Sequence, residues 1–276
     1  TEVEIPEQIY TSKEIVPQDT KVTFAGKQLV LGKDFEIECT DNITASDRAQ
    51  AVIKGIGQYF DQTVPILFTI RPLDLEKDDL TKNNYVLGNV NDTYVYSGLQ
   101  IRPQPNITHN GTALTYDQEY YVEYGIDGNE ENINVGMGGL TIFGIAPNYE
   151  NQYKKEFEIQ PYDISASYAQ GHIELRNVEK QVSWEEALVG TAAGVELTKD
   201  SGGVVQTNLE VWYTPVDLDG NDQTPRQLDS TEYDVTYENN NTIGTATIKV
   251  TGKGNFTGTV TEDFKIVGDL SGDKAV

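Results

Sequence analysis

The stretch Glu232–Ile266, EYDVTYENNNTIGTATIKVTGKGNFTGTVTEDFKI, decides the fold. Tyr233, Val235 and Tyr237 alternate with Asp234 and Thr236, the two-residue period of a half-buried strand. Glu238-Asn239-Asn240-Asn241 is a turn cluster. Ala246, Ile248 and Val250 then alternate with Thr247, Lys249 and Thr251 as a second strand. Gly252-Lys253-Gly254-Asn255 is another turn, and Thr259–Ile266 closes a third strand on Phe264-x-Ile266. Three β-rich segments joined by Asn and Gly turns form a meander.

The same grammar occurs twice upstream. Gly32–Cys39 (GKDFEIEC) and Asp117–Tyr124 (DQEYYVEY) match Ser230–Tyr237 (STEYDVTY), with Asp34, Glu119 and Glu232 as the aligned acids. Ala49, Ala51 and Ile53 pair with Gly138, Leu140 and Ile142, and with Ala246, Ile248 and Val250. Glycine turns follow at Gly55, Gly144 and Gly252, where glycine is expected to supply a positive φ. An aromatic comes next in each copy (Tyr59, Tyr149, Phe256), expected to fold back over the core. Each copy closes on Phe-x-Ile: Phe68 and Ile70, Phe157 and Ile159, Phe264 and Ile266. Tyr10, Ile15 and Pro17 share their spacing with Tyr96, Ile101 and Pro103.

The repeats set an expected division of 1–71, 72–160 and 161–267, with a tail at 268–276. Short connectors, Arg71–Leu75 (RPLDL) and Gln160–Ile164 (QPYDI), leave little slack. They predict an elongated, stiff arrangement with motion limited to Pro72 and Pro161. The third copy is longer. Val182–Gly194 is its candidate helix, with Ser183, Glu185 and Glu186 as cap and acidic first turn. Thr198–Gly203 is a predicted loop, Asn208–Val216 a strand and Asp217–Pro225 a hairpin loop.

Composition agrees with small β modules. Hydrophobic residues make up 37% of 276, spread too thinly for one thick core. The net charge of −24 repels phosphate backbones and anionic headgroups, which argues against nucleic acid and membrane partners. With one cysteine, Cys39, no disulfide forms within the chain. Cys39 stands where the other copies carry an aromatic, so it is expected in a core. No apolar run reaches the roughly 18 residues of a membrane helix. The start at Thr1, without a signal peptide, fits a mature or trimmed fragment.

At this point the residues resemble a family. Tyr233-x-Val235-x-Tyr237-x-Asn239-Asn240, Gly244-Thr245-Ala246, Gly252-x-Gly254-Asn255-Phe256-x-Gly258 and Phe264-x-Ile266 are similar to the bacterial immunoglobulin-like repeats of large surface and secreted proteins of Gram-positive gut bacteria. The first copy departs from the pattern at Cys39 and Asp47, and the second has an extra residue in its glycine turn. The resemblance implies an all-β fold of three tandem Ig-like β-sandwich modules, export to the cell surface, and an adhesive or spacer role as a monomer. It implies no single ligand; a host or cell-surface protein is one partner it allows. The tail Gly268–Val276 resembles the start of a dockerin calcium loop, with Asp269, Ser271 and Asp273 as oxygen ligands. That likeness implies a cohesin partner and a polysaccharide-degrading complex; Lys274 departs from the glycine expected there.

The search for chemistry returns little. His109 and His172 lie in polar contexts without a nucleophile motif and are expected in solvated loops. No residue set fills the roles of a catalytic site, so no enzyme is expected and no catalytic residue is assigned. Asp217, Asp219 and Asp222 are the best calcium cluster inside the repeats. Trp184, Trp212 and Tyr213 are the candidates for a polysaccharide-stacking platform. Trp212 and Tyr213 are adjacent on one strand, so they face opposite sides.

Overall fold

The computed structural model describes residues 1–184, 197–200 and 202–268. Strands hold 51% of the chain and helix 3%, so the fold is all-β, as the alternating patterns require. The contact pattern separates two compact units. One comprises Thr1–Asn91, Arg102–Ile126 and Gly139–Glu156; the other comprises the remaining described residues.

One four-stranded arrangement occurs three times. In the first copy the order is Gln8–Ile9, Thr63–Arg71, Ser46–Gly55, Phe35–Thr40. In the second it is Thr93–Val95, Gln152–Gln160, Gly136–Gly144, Tyr120–Tyr124. In the third it is Gln181–Ser183, Thr259–Val267, Gly244–Gly252, Tyr233–Glu238. Each time the short first strand lies parallel to its neighbour, which carries Phe-x-Ile. The longer strands of the first and third copies pair antiparallel, as do Tyr120–Tyr124 and Gly136–Gly144 of the second. Each copy also has a three-stranded sheet, centred on Lys21–Phe24, Asn106–His109 and Glu210–Tyr213. In the first copy Val22 and Leu29 meet Phe35 and Ile53 in one cluster, so the two sheets pack face to face as a sandwich.

The repeated residues take the places their pattern assigns. Ala246, Ile248, Val250, Phe264 and Ile266 are at most 1% exposed, which makes them core. Asp34, Glu119 and Glu232 close the turn before their strand, each taking a backbone N–H from Val30, Thr115 or Asp229. Their own carbonyls accept from Ile56, Ile145 and Lys253 in the glycine turns, which ties turn to turn in all three copies.

Several expectations are corrected. Gly55, Gly144 and Gly252 do not have positive φ; an added Cβ at each would collide with backbone of the following aromatic segment, so glycine is needed for close approach. Positive φ falls instead on Gly57 and Gly254. Gln181–Ser183 forms a strand, and the candidate helix beyond Trp184, with Glu185 and Glu186, lies outside the described residues. Among the described residues the α-helix is Ile164–Tyr168, where Asp163 accepts the Ser165 N–H as N-cap at 2.9 Å. Thr198–Asp200, expected as loop, belongs to a strand paired with Gly203–Gln206. Cys39 is half-buried against the core of the first unit.

Candidate functional site

The most developed polar and aromatic chemistry gathers where one repeat gives way to the next. Within the first unit, the connector after the first repeat becomes a strand: Leu73–Asp74 pairs parallel with Tyr149–Glu150 of the second. Leu73 N–H donates to Asn148 O and Leu75 N–H to Glu150 O, each at 3.0 Å. The Asn148 side chain returns the contact, its Oδ1 accepting the Ala45 N–H at 3.0 Å. Tyr10 sits edge-on to His109 at 5.5 Å and to Tyr149 at 5.3 Å. Ser12 Oγ donates to His109 O, and Asn110 Nδ2 to Thr11 O, both at 2.8 Å.

His109 is fully buried, contrary to the solvated loop expected of it. It ends a strand paired to Tyr85–Gly88, and Tyr10 of the preceding repeat lies against its ring. Its Nδ1 lies 3.1 Å from the Tyr149 hydroxyl. Burial pushes the imidazolium below its usual pKa and the Tyr149 and Tyr85 hydroxyls above theirs. Asp74 in the connector is 5% exposed. Burial alone would raise its pKa, but hydrogen bonds from Asn151, Glu76 and Lys77 bring it to about 2. Arg71 holds Asp78 in a bidentate pair at 2.7 Å, and Asp78 accepts the Asp74 N–H at 2.8 Å.

The second unit builds the same device. Tyr162–Asp163 pairs parallel with Phe256–Thr257. Tyr162 N–H donates to Asn255 O, and Asn255 Oδ1 accepts the Val135 N–H, both at 3.0 Å. Asn255 Nδ2 donates to Asn134 Oδ1 at 3.1 Å. The Tyr96 and Tyr213 rings each stand 5.3 Å from Phe256. Arg226 forks onto Glu232 with two bonds of 2.8 Å and donates to the Tyr96 hydroxyl at 3.3 Å. Its side-chain bonds hold the Glu232 carboxyl below the usual range.

The sequence-predicted residues fall as follows. Tyr213 is fully buried in this junction and offers no ring face to a sugar. Trp212 is half-buried, with the Arg176 guanidinium 4.2 Å from its ring and its Nε1 donating to Glu210 at 2.8 Å. Trp184 is half-buried, and its N–H donates to Val267 O at 2.8 Å. The structure joins Trp212 and Tyr213 by strand alone, on opposite faces.

Of the calcium candidates Asp217, Asp219 and Asp222, the first and last face different partners. Asp217 closes its own hairpin, accepting from Asp219 N, Asn221 N and Gln223 Nε2. Asp222 points to His172 Nε2 at 3.2 Å instead. Among the described residues no three His, Cys, Asp or Glu gather to hold a metal ion. Asp269 and Asp273 lie outside the described residues.

One recurring device escaped the sequence reading. Asn42, Asn132 and Asn240 each grip a distant segment by two bonds: the backbone carbonyl accepts the N–H of Ile15, Ile101 or Val204, and Nδ2 donates to that residue's carbonyl. An Asn a few residues after each aligned strand was the available signal.

The site thus defines a class: an all-β chain whose repeats are joined by strand-forming connectors and buried rings. No family model and no curated protein matches it. Among solved structures, one match is described as "Structure of surface layer protein SbsC, domains 4-9". It shows 12% identity and a TM-score of 0.23, covering 98% of this chain and 48% of that one. This chain therefore spans about half of that structure's length, and a likeness at that score carries no argument. Among the described residues no helix is long and apolar enough to cross a membrane.

Proposed function

We propose that this chain is a non-catalytic spacer of the cell surface, made of Ig-like modules 1–71, 72–160 and 161–267, that presents neighbouring modules. The observation that carries the reading is the junction, built twice from one set of parts. A connector strand, an Asn side chain and an inserted tyrosine spend buried area and backbone hydrogen bonds on fixing one repeat to the next. A chain selected only to fold each repeat has no use for such repetition. Small-angle scattering of the full chain tests it: a rod about three modules long supports the spacer, and a compact globule overturns it.

A second reading keeps polysaccharide binding on the third repeat. Beside Trp212 an open groove of about 460 Å³ is lined by Asn177, Asn208, Glu210 and Gln227, amide-rich chemistry suited to sugar hydroxyls. Affinity electrophoresis on starch, cellulose and xylan, with Trp212→Ala as control, decides it. Retardation that the substitution abolishes supports the groove; no retardation on any glycan removes it.

A further inference from the structure

Two departures of the first repeat from its sisters fall at one place. Cys39 stands opposite Ala51 as Tyr124 stands opposite Leu140 and Tyr237 opposite Ile248. In the second and third repeats the tyrosine spans to a neighbouring segment. Tyr124 donates to Pro103 O at 2.9 Å, and Tyr237 to Gln206 O at 3.0 Å. A cysteine lacks the ring that makes this reach. Pro17, aligned with Pro103, gives its carbonyl to Thr20 Oγ1 instead, at 2.7 Å.

The second departure is a β-bulge on the adjoining strand. Ser46 pairs with Ile70 and Ala49 with Phe68, so Asp47 and Arg48 together oppose Thr69. The third repeat has no such bulge: Gly244, Thr245 and Ala246 pair one to one with Ile266, Lys265 and Phe264. The Asp47 and Arg48 side chains are each 84% exposed.

Both departures line one open cleft of about 870 Å³. That lies inside the roughly 300–1,000 Å³ of small-molecule sites. Its lining includes Cys39, the Glu14 and Asp41 carboxylates, the Thr44 hydroxyl, the Arg48 guanidinium and the Gln50 amide. Gln50 Nε2 lies 3.4 Å from Asp41 Oδ2, which sets a donor and an acceptor side by side. Burial pushes the Cys39 thiol up, so it meets a ligand as a neutral, weakly polar group. Two carboxylates repel an anion, and Arg48 opposes a cation. A neutral polyol suits both, since each hydroxyl can accept from Arg48 or Gln50 and donate to Glu14 or Asp41.

We propose that this cleft of the first repeat is a binding site for a neutral saccharide, separate from the groove beside Trp212. In the second and third repeats the chain's own tyrosine makes the contact that Cys39 leaves unmade. The proposal needs neither the spacer reading nor the third-repeat groove.

Titration of the full chain with cellobiose, xylobiose, maltose and chitobiose, each to about 10 mM, tests it by ligand-observed NMR. Cys39 is the chain's one thiol, so its alkylation by iodoacetamide reads the cleft directly. At least one disaccharide is expected to bind with a Kd of about 1 mM and to slow that alkylation. Arg48→Ala, at an exposed position, is expected to melt like the parent chain and to weaken binding about tenfold. Cys39→Tyr restores the ring of the sister repeats and is expected to abolish binding. Should that variant fail to fold, Arg48→Ala decides alone. Trp212→Ala is expected to leave both readouts unchanged. No binding by any of the four, unslowed alkylation, or binding that survives Arg48→Ala or a folded Cys39→Tyr at parental strength each overturns the proposal. Binding lost in Trp212→Ala and kept in Arg48→Ala overturns it in favour of the third repeat.

Discussion

The two junctions use one geometry and two chemistries. In the first, a buried imidazole and tyrosine hydroxyls meet, with Ser12 and Asn110 bonding to backbone. In the second, the position of His109 is taken by Tyr213, and Arg226, clamped to Glu232, lies 5.8 Å and 5.6 Å from the Tyr213 and Phe256 rings. The backbone parts, meaning the connector strand and the turn asparagine, are common to both. What fixes the joint is therefore main chain and ring area, whereas the polar groups around it set its response to conditions.

The largest effects should be shared. Tyr149→Ala and Phe256→Ala each remove a ring at most 2% exposed, at an expected cost of about 3–5 kcal/mol in urea denaturation. Equal losses would establish the rings as the common element; a loss confined to one would break the equivalence. The next effect should be one-sided. Arg226→Ala strips the partner from a partly buried Glu232 and is expected to cost about 2 kcal/mol. Thr112→Ala, at the aligned and exposed position of the first junction, should cost less than about 0.5 kcal/mol.

The junctions should also part company in acid. His109 has a folded-state pKa below its usual 6.5, so the unfolded chain binds the proton first. Stability is whole above pH 6.5 and is lost as pH falls from there toward the folded pKa. The groups facing the ring, Tyr10, Tyr85 and Tyr149, stay neutral and offer no compensating charge. The loss approaches about 1.4 kcal/mol per pH unit. Glu232 is held below its usual 4.5, so its contribution persists above pH 4.5 and fades only as pH falls through its folded pKa. Melting curves between those limits should fall for the parent chain and flatten for His109→Gln. An unchanged slope in that variant would remove the imidazole as the cause.

The sandwich was legible in the sequence because strand alternation and Phe-x-Ile report burial directly, residue by residue. The junctions were not. Trp184 aligns with Tyr10 and Tyr96 by its bond to Val267, but the long third-copy insertion hides that register in the sequence. His109 looked solvated because its sequence neighbours are polar; what buries it is the Tyr10 and Tyr149 rings, far away in the chain. Asp217 looked like a calcium ligand because Asp spacing is shared by metal loops and by turns that bond their own backbone. Such features depend on contacts across the fold, which periodicity does not encode.

A smaller predicted effect than those of the rings and of Arg226 is more symmetric. Asn148 and Asn255 each accept one N–H across a junction through Oδ1, from Ala45 and Val135. Replacing either with Ala leaves that donor without its partner, and about 1 kcal/mol is the ordinary cost of one such bond. Asn→Asp keeps the accepting oxygen but loses Nδ2. At position 148 that should recover most of the loss, since the bond to Ala45 uses Oδ1. At position 255 it should recover less, because Nδ2 also donates to Asn134 Oδ1 and a carboxylate there would face another acceptor. Thermal melts of the four single variants separate the two cases. Equal rescue at both positions would mean that the Asn134 contact contributes nothing, and that the two joints are alike down to this bond.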